Sequence, residues 1–188
     1  YGIGVFGRVR PEKGTDVFVH AMIQALPQLP SATAVIAGLA QPQHQAYQQD
    51  LQRQIDAAGL HDRIVFLGEV PSNEMHCWYQ RCLLCVASPR YEAFGLTPFE
   101  AAATACALVC SRTGAFDQLA IAGETGEMVD TGDAPGLAQA VLSVMRDPQR
   151  AARMGEAARA SVAEHFSLAR EAEGIGRVYR DLFDKAPV

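Results

Sequence analysis

Short apolar runs alternate with helix-patterned segments along most of this chain, and that alternation leaves few folds open. Residues 5–9 read as a strand that ends at Arg8, and further strands are expected at 32–37, 63–70, 83–87 and 107–111, with a short sixth at Met128 and Val129. Between them, Val17, Val19, Met22, Ile23 and Leu26 give a helical face that begins near Thr15 or Asp16 and stops at Pro27. Leu51 and Ile55 mark a second helix over 43–58, closed by Gly59, and 73–82 carries Trp78, whose expected role is packing. Helices over 135–146, 148–165 and 168–185 close the chain, broken at Asp147-Pro148 and capped at Ser167; the last two are rich in Ala, Arg and Glu and are expected to pack around the domain. Alternation at this spacing requires right-handed crossovers, so the expected fold is α/β, a Rossmann-like doubly wound parallel sheet of about six strands with C-terminal helices. In such sheets ligands bind beyond the carboxyl ends of the strands.

Length and composition narrow the class further. The 188 residues suit one domain, 1–188, and no apolar run approaches the ~20 residues of a membrane span. A net charge of −5 with sparse Lys and Arg argues against a nucleic-acid partner. The first residue is Tyr1, not Met, and no charged-then-apolar leader follows it, so the chain is expected to be a domain excised from a longer soluble protein. Of the five cysteines, Cys82-x2-Cys85 and Cys106-x3-Cys110 approach a zinc spacing, yet Leu83-Leu84 and Ala107-Leu108-Val109 look like strand interior where zinc knuckles need polar turns. A thioredoxin-type pair should open a helix, and this one leads into a strand. The cysteines are read as free buried thiols in a reducing cytoplasm.

Two phosphate-loop signatures are near misses. Gly2-Ile3-Gly4-Val5-Phe6-Gly7 matches G-x-G-x-x-G, but nothing precedes it to supply the strand that the dinucleotide fingerprint requires. Lys13-Gly14-Thr15 reverses the order of a Walker loop. What survives is a bend at Pro11 and Gly14 with Arg8 and Lys13 flanking a helix start, a fair clamp for a diphosphate or simply two surface cations on a turn.

The stretch 88–101, SPRYEAFGLTPFEA, reads as strand end, bent loop and helix start. Thr97 is the expected N-cap with Pro98 at the first helical position, and the turn at Gly95 leaves free N–H groups pointing into the loop, where an anion is stabilised. Glu92 and Glu100 flank that loop. Each also has a plainer reading: Glu100 completes a capping box with Thr97, and Glu92 is a solvated loop carboxylate.

With these residues in place, the chain resembles the C-terminal half of a GT-B glycosyltransferase of family 4, the retaining class that uses sugar nucleotides. The resemblance rests on GRVRPEKGTD at 7–16, Gly38 after the second strand, DRIVFLGEV at 62–70, the E-x7-E of Glu92 and Glu100, the Gly126 turn and Phe166-Ser167. It implies that Arg8 and Lys13 hold the donor diphosphate and stabilise the leaving group, that Glu92 meets hydroxyls of the donor sugar, and that Glu100 takes the ribose hydroxyls. It further implies that N–H groups of Phe94, Gly95 and Leu96 line the sugar and phosphate, with Gly38 and Val70 on the nucleotide side and Val70 near the base. No metal and no cofactor besides the donor is implied. The partners it implies are a nucleotide-diphosphate sugar and, through an N-terminal acceptor domain absent from this chain, a glycan or lipid-linked acceptor. It places the full-length protein in the cytoplasm, in peripheral contact with the inner face of the membrane. The wording of 7–16 and 91–101 looks most like bacterial lipopolysaccharide-core mannosyltransferases that use GDP-mannose.

Some positions depart from the family pattern. Ala93 stands in place of Gly, so the loop is expected to approach the donor less closely. Ala105 and Ala107 replace Gly and Pro, and Ala115 and Gln118 replace Gly and Glu. Two other readings compete: a sugar-nucleotide epimerase of the same architecture, and a non-catalytic α/β regulatory module, for which the cations at Arg8, Arg10 and Lys13 are of the wrong charge.

Overall fold

In the structure, a computed structural model describing residues 2–184, each apolar run of the sequence becomes one strand of a single parallel sheet. The strands are β1 (Gly2–Phe6), β2 (Thr33–Ala37), β3 (Ile64–Gly68), β4 (Cys82–Ala87), β5 (Ala107–Ser111) and β6 (Gly126–Val129), in the order β3-β2-β1-β4-β5-β6 with every pairing parallel. The helices are α1 (Thr15–Ala25), α2 (Gln45–Ala57), α3 (Met75–Arg81), α4 (Leu96–Ala103), α5 (Ala134–Met145), α6 (Pro148–His165) and α7 (Leu168–Asp184). Tyr1 and Lys185, the expected end of the closing helix, lie outside the described residues.

Strand alternation divides the core in two. Ile3, Ala34, Ile36, Leu84, Val86, Ala107 and Val109 point to one face, under α1, α2 and α5. Phe6, Ala37, Cys85, Ala87, Leu108 and Cys110 point to the other, under α3, α4 and α6. Both faces are covered, as a parallel sheet requires. Asp133 and Asp147 cap α5 and α6 by accepting from the backbone N–H groups of Gly136 and Arg150.

Several boundaries differ from the sequence expectation. The first strand is Gly2–Phe6, not a run to Arg8, so all of the G-x-G-x-x-G residues but Gly7 are themselves the strand. A Cβ at Gly4 would sit 2.4 Å from the Phe6 ring, and one at Gly2 would sit 2.7 Å from the Arg81 carbonyl oxygen; these glycines serve close packing. The third strand stops at Gly68, whose φ of 72° turns the chain two residues before Val70. Ahead of β3, Arg63 donates to the carbonyls of Leu26, Leu29 and Ala32 and so anchors the chain leaving α1.

Ala105, between α4 and β5, has φ 61°, in the left-handed region that favours glycine. Its carbonyl lies where a Cβ on Gly155 of α6 would be, 2.0 Å away. Four cysteines are buried, but Cys77 is exposed on α3, against the expectation for all five, because it falls on the outer side of that short helix. The closing helix also departs from expectation. α6 buries Ala151, Met154, Gly155 and Ala158, whereas α7 buries none of its residues and leaves Leu168, Ile175, Val178, Tyr179, Leu182 and Phe183 exposed.

Candidate functional site

The sheet order reverses direction between β1 and β4, and the loops that leave these two neighbours open on the same edge. That crevice is where a doubly wound sheet presents a ligand site. The loops are fastened together. Arg90 N donates to the Glu12 carbonyl (2.9 Å), and Ser88 Oγ donates to the Gly14 carbonyl (3.2 Å). The Arg90 guanidinium donates to the Pro11 carbonyl (2.7 Å) and to both Asp16 oxygens (2.7 and 2.6 Å). Tyr47 OH donates to Asp16 Oδ1 (2.8 Å) and accepts from the Asp16 N–H. Burial pushes the Asp16 carboxyl up, but the hydrogen bonds from Arg90 and Tyr47 and the Arg90 charge outweigh it and hold the group below its ordinary 3.8. The contact is so close that a Cβ on Gly14, at φ 65°, would lie 1.8 Å from the Ser88 carbonyl oxygen.

Arg8, Lys13, Glu92, Gly95 and Thr97 line one pocket between the two loops. Lys13 Nζ donates to Glu92 Oε2 at 2.5 Å, and with this pair in place about 30 Å³ of space remains. Gly95, at φ 80°, is the residue before α4, which begins at Leu96. Thr97 is therefore not the N-cap and Pro98 is not at the first helical position: they are the second and third helical residues, because the glycine turns the chain into the helix earlier than Thr97 could. No side chain caps this start. Pro98 has no N–H, so the groups left for an anion are those of Gly95, Leu96 and Thr97. A Cβ on Gly95 would lie 2.5 Å from the Phe116 ring and 2.8 Å from Glu92 Cγ, so the turn is pressed down beside the carboxylate.

Of the other candidate residues, Glu100, Phe94, Leu96, Gly38 and Val70 do not line this pocket. Glu100 does not reach back to Thr97; its Oε2 accepts from Tyr79 OH at 2.8 Å. Together they border a neighbouring groove of about 400 Å³ with Ser72 and His76. Phe94 and Leu96 border another groove, of about 460 Å³, against Phe166 and Arg170, and Phe94 stacks on Phe99 at 4.8 Å. Gly38 follows β2 with its Cα so near the Gly7 carbonyl that a Cβ would lie 1.9 Å from that oxygen. Val70 is half-buried against the core beneath α3 and α4. Ala93, in the place of Gly, is exposed, and its N–H donates to Glu92 Oε1. Ala115 and Gln118 flank the turn that carries Phe116 under Gly95. Among the described residues no group of three or more His, Cys, Asp or Glu could hold a metal ion, and no helix is long and apolar enough to cross a membrane.

Sequence reasoning missed Asp16, Tyr47, Tyr79, Ser88 and Arg90. The available signal was an arginine next to an acidic loop and an aspartate just inside a helix, with no partner at helical spacing in its own segment.

Residues 2–161 match the model of the family described as glycosyl transferases group 1. The chain is 47% identical over 180 residues to the lipopolysaccharide core biosynthesis mannosyltransferase LpcC of Rhizobium leguminosarum bv. viciae, covering 96% of this chain and 51% of that protein. It thus spans about half the length of the curated relatives it matches. Among solved structures, the C-terminal domain of a glycosyl transferase group 1 family protein (LpcC) from Francisella tularensis superposes with a TM-score of 0.85 at 31% identity, over 89% of this chain and 87% of that one. Anabaena Alr3699/HepE, solved in complex with UDP and glucose, superposes with a TM-score of 0.86 at 26% identity, over 96% of this chain and 48% of that one.

Proposed function

The chain belongs to the group 1 glycosyl transferases, and we propose that it is the donor-binding C-terminal half of an enzyme that transfers a sugar, with retention, from a nucleotide-diphosphate sugar. The observation that carries this reading is the pocket itself. A cation and a carboxylate, Lys13 and Glu92, meet beside an uncapped helix start, and the two loops that supply them are stapled by Arg90. A diphosphate gains negative charge as it leaves the sugar. Arg8, Lys13 and the N–H groups of Gly95, Leu96 and Thr97 supply preorganised positive ends for that charge. Glu92 then accepts from hydroxyls of the transferred sugar, and Glu100 from those of the ribose, with Gly38 and Val70 toward the nucleotide.

The mannosyltransferase relative favours GDP-mannose as donor and a lipopolysaccharide core as acceptor. The acceptor, glycan or lipid-linked, is held by the other half of the protein at the inner face of the membrane, and transfer requires that half. The chemistry proposed for these residues uses no metal.

Calorimetric titration of the chain with GDP-mannose, UDP-glucose, GDP and UDP tests the reading. Saturable binding of GDP-mannose, weakened by Lys13→Ala in a protein that still folds, is the expected result. Selective binding of UDP-glucose would replace the mannose assignment, and absence of binding to all four would remove the donor-site reading.

A further inference from the structure

The two glutamates of the site are held by different chemistry. Glu92 faces a cation, whereas among the described residues Glu100 has no ion pair and instead accepts a hydrogen bond from a phenol. That phenol, Tyr79, stands on α3 with 3% of its surface exposed, its ring tilted against Phe6 at 4.5 Å. Glu100 itself is exposed on α4. Burial, followed by the Glu100 carboxylate, pushes the Tyr79 hydroxyl far above its ordinary 10.0, so it remains a donor and not a base.

A free glutamate side chain samples many rotamers, and ordering it opposes binding. A donor mounted on a buried ring removes that freedom in advance. It occupies one lone pair of Oε2 and leaves Oε1 and the rest of Oε2 to accept from other groups. The groove beside the carboxylate, about 400 Å³, is large enough for a furanose ring. A vicinal diol brings two O–H donors, which a carboxylate in fixed orientation can accept together.

We infer that Tyr79 is a positioning residue for donor recognition: it presets the Glu100 carboxylate for the ribose hydroxyls and thereby sets a preference for ribonucleotides over deoxyribonucleotides. The inference rests on the reading of Glu100 as the ribose contact. A merely structural tyrosine, whose hydroxyl only needs a partner, would leave that preference alone.

The test is calorimetry of the chain with GDP and 2′,3′-dideoxy-GDP, and with the matching UDP pair, for wild type, Tyr79→Phe, Glu100→Ala and the double variant. Wild type is expected to favour the ribonucleotide. Tyr79→Phe keeps the ring on Phe6 and is expected to reduce the preference about fivefold, the net scale of one ordinary hydrogen bond. Glu100→Ala should abolish the preference, and adding Tyr79→Phe to it should change nothing more. A Tyr79→Phe variant with the full wild-type ratio overturns the inference, whatever its melting temperature. A wild type that binds both members of a pair equally removes the Glu100 reading, and with it this one. Binding of neither pair removes the donor site itself.

Discussion

Lys13 and Glu92, 79 residues apart in the chain, meet at 2.5 Å across the crevice between β1 and β4. Each side chain is partly covered, 30% and 17% exposed, and both line the pocket between the two loops. On the donor-site reading proposed above, entry of a sugar diphosphate would separate the pair, giving Lys13 the phosphate oxygens and Glu92 the sugar hydroxyls in exchange.

Glu92→Gln tests that exchange. Free GDP is expected to bind up to about fivefold more tightly, since a partly exposed ion pair is worth about 0–1 kcal/mol. The advantage of GDP-mannose over GDP should shrink in the same variant. Lys13→Ala is expected to weaken both by about tenfold or more, the loss of a charge-assisted contact to phosphate. Calorimetry reads all three, and unchanged affinities in Glu92→Gln would show that the pair does not gate the site.

Asp16→Asn should loosen the staple between the loops, at a cost of about 1 kcal/mol at pH 7, the upper end for a partly exposed bidentate ion pair. Asp16 is held below its ordinary 3.8, first opposed by burial and then carried down by Arg90 and Tyr47. A depressed native value means that this stabilisation is complete above 3.8 and is lost as pH falls through the native value. Urea denaturation of wild type and variant should differ at neutral pH and converge as pH drops below 3.8.

Ala105 carries a strain that glycine would relieve. At φ 61° an alanine costs about 1–2 kcal/mol, partly offset by the greater unfolded entropy of glycine. Ala105→Gly is expected to stabilise the fold by about 0.5–1 kcal/mol, a rise in Tm of about 2 °C. Gly155→Ala should do the reverse by about 2 kcal/mol or more, because its Cβ would meet the Ala105 carbonyl at 2.0 Å, backbone that cannot yield. Thermal denaturation decides both signs.

Arg63→Lys replaces a fork that serves three carbonyls with a point charge. The expected loss is about 2 kcal/mol in chemical denaturation, with nucleotide affinity unchanged, since Arg63 precedes β3 and the site lies at the opposite ends of the strands. A parallel loss of nucleotide affinity would contradict that separation.

The sheet was legible because its signal is local: apolar runs such as 107–111, with turns between them, name strands wherever they occur. Glu92 and Lys13 were legible for the same reason, each lying in a short, distinctive stretch. Thr97 and its neighbours satisfy the local rule for a cap, and only the turn at Gly95, pressed onto Phe116 and Glu92, starts the helix earlier. Glu100 has one local partner in the sequence, Thr97, and its actual one, Tyr79, sits 21 residues earlier on another helix. Arg90 and Asp16 were invisible on the same ground: nothing within 88–101 announces an ion pair with residue 16. The lone positive φ outside glycine in the described residues, at Ala105, was marked in the sequence only as a departure from a family pattern.

The adjacency of β1 and β4 also dictates timing. As the chain is synthesised at about 5–20 residues per second, Lys13 waits roughly 4–16 s for Glu92 to be made. Until β4 is inserted, β1 can pair only with β2, so the nascent protein presents one wall of the crevice with an unmatched cation and no helix start opposite it. No amino-terminal fragment that ends before β4 carries both walls, so the site has no history as a weaker version of itself during synthesis.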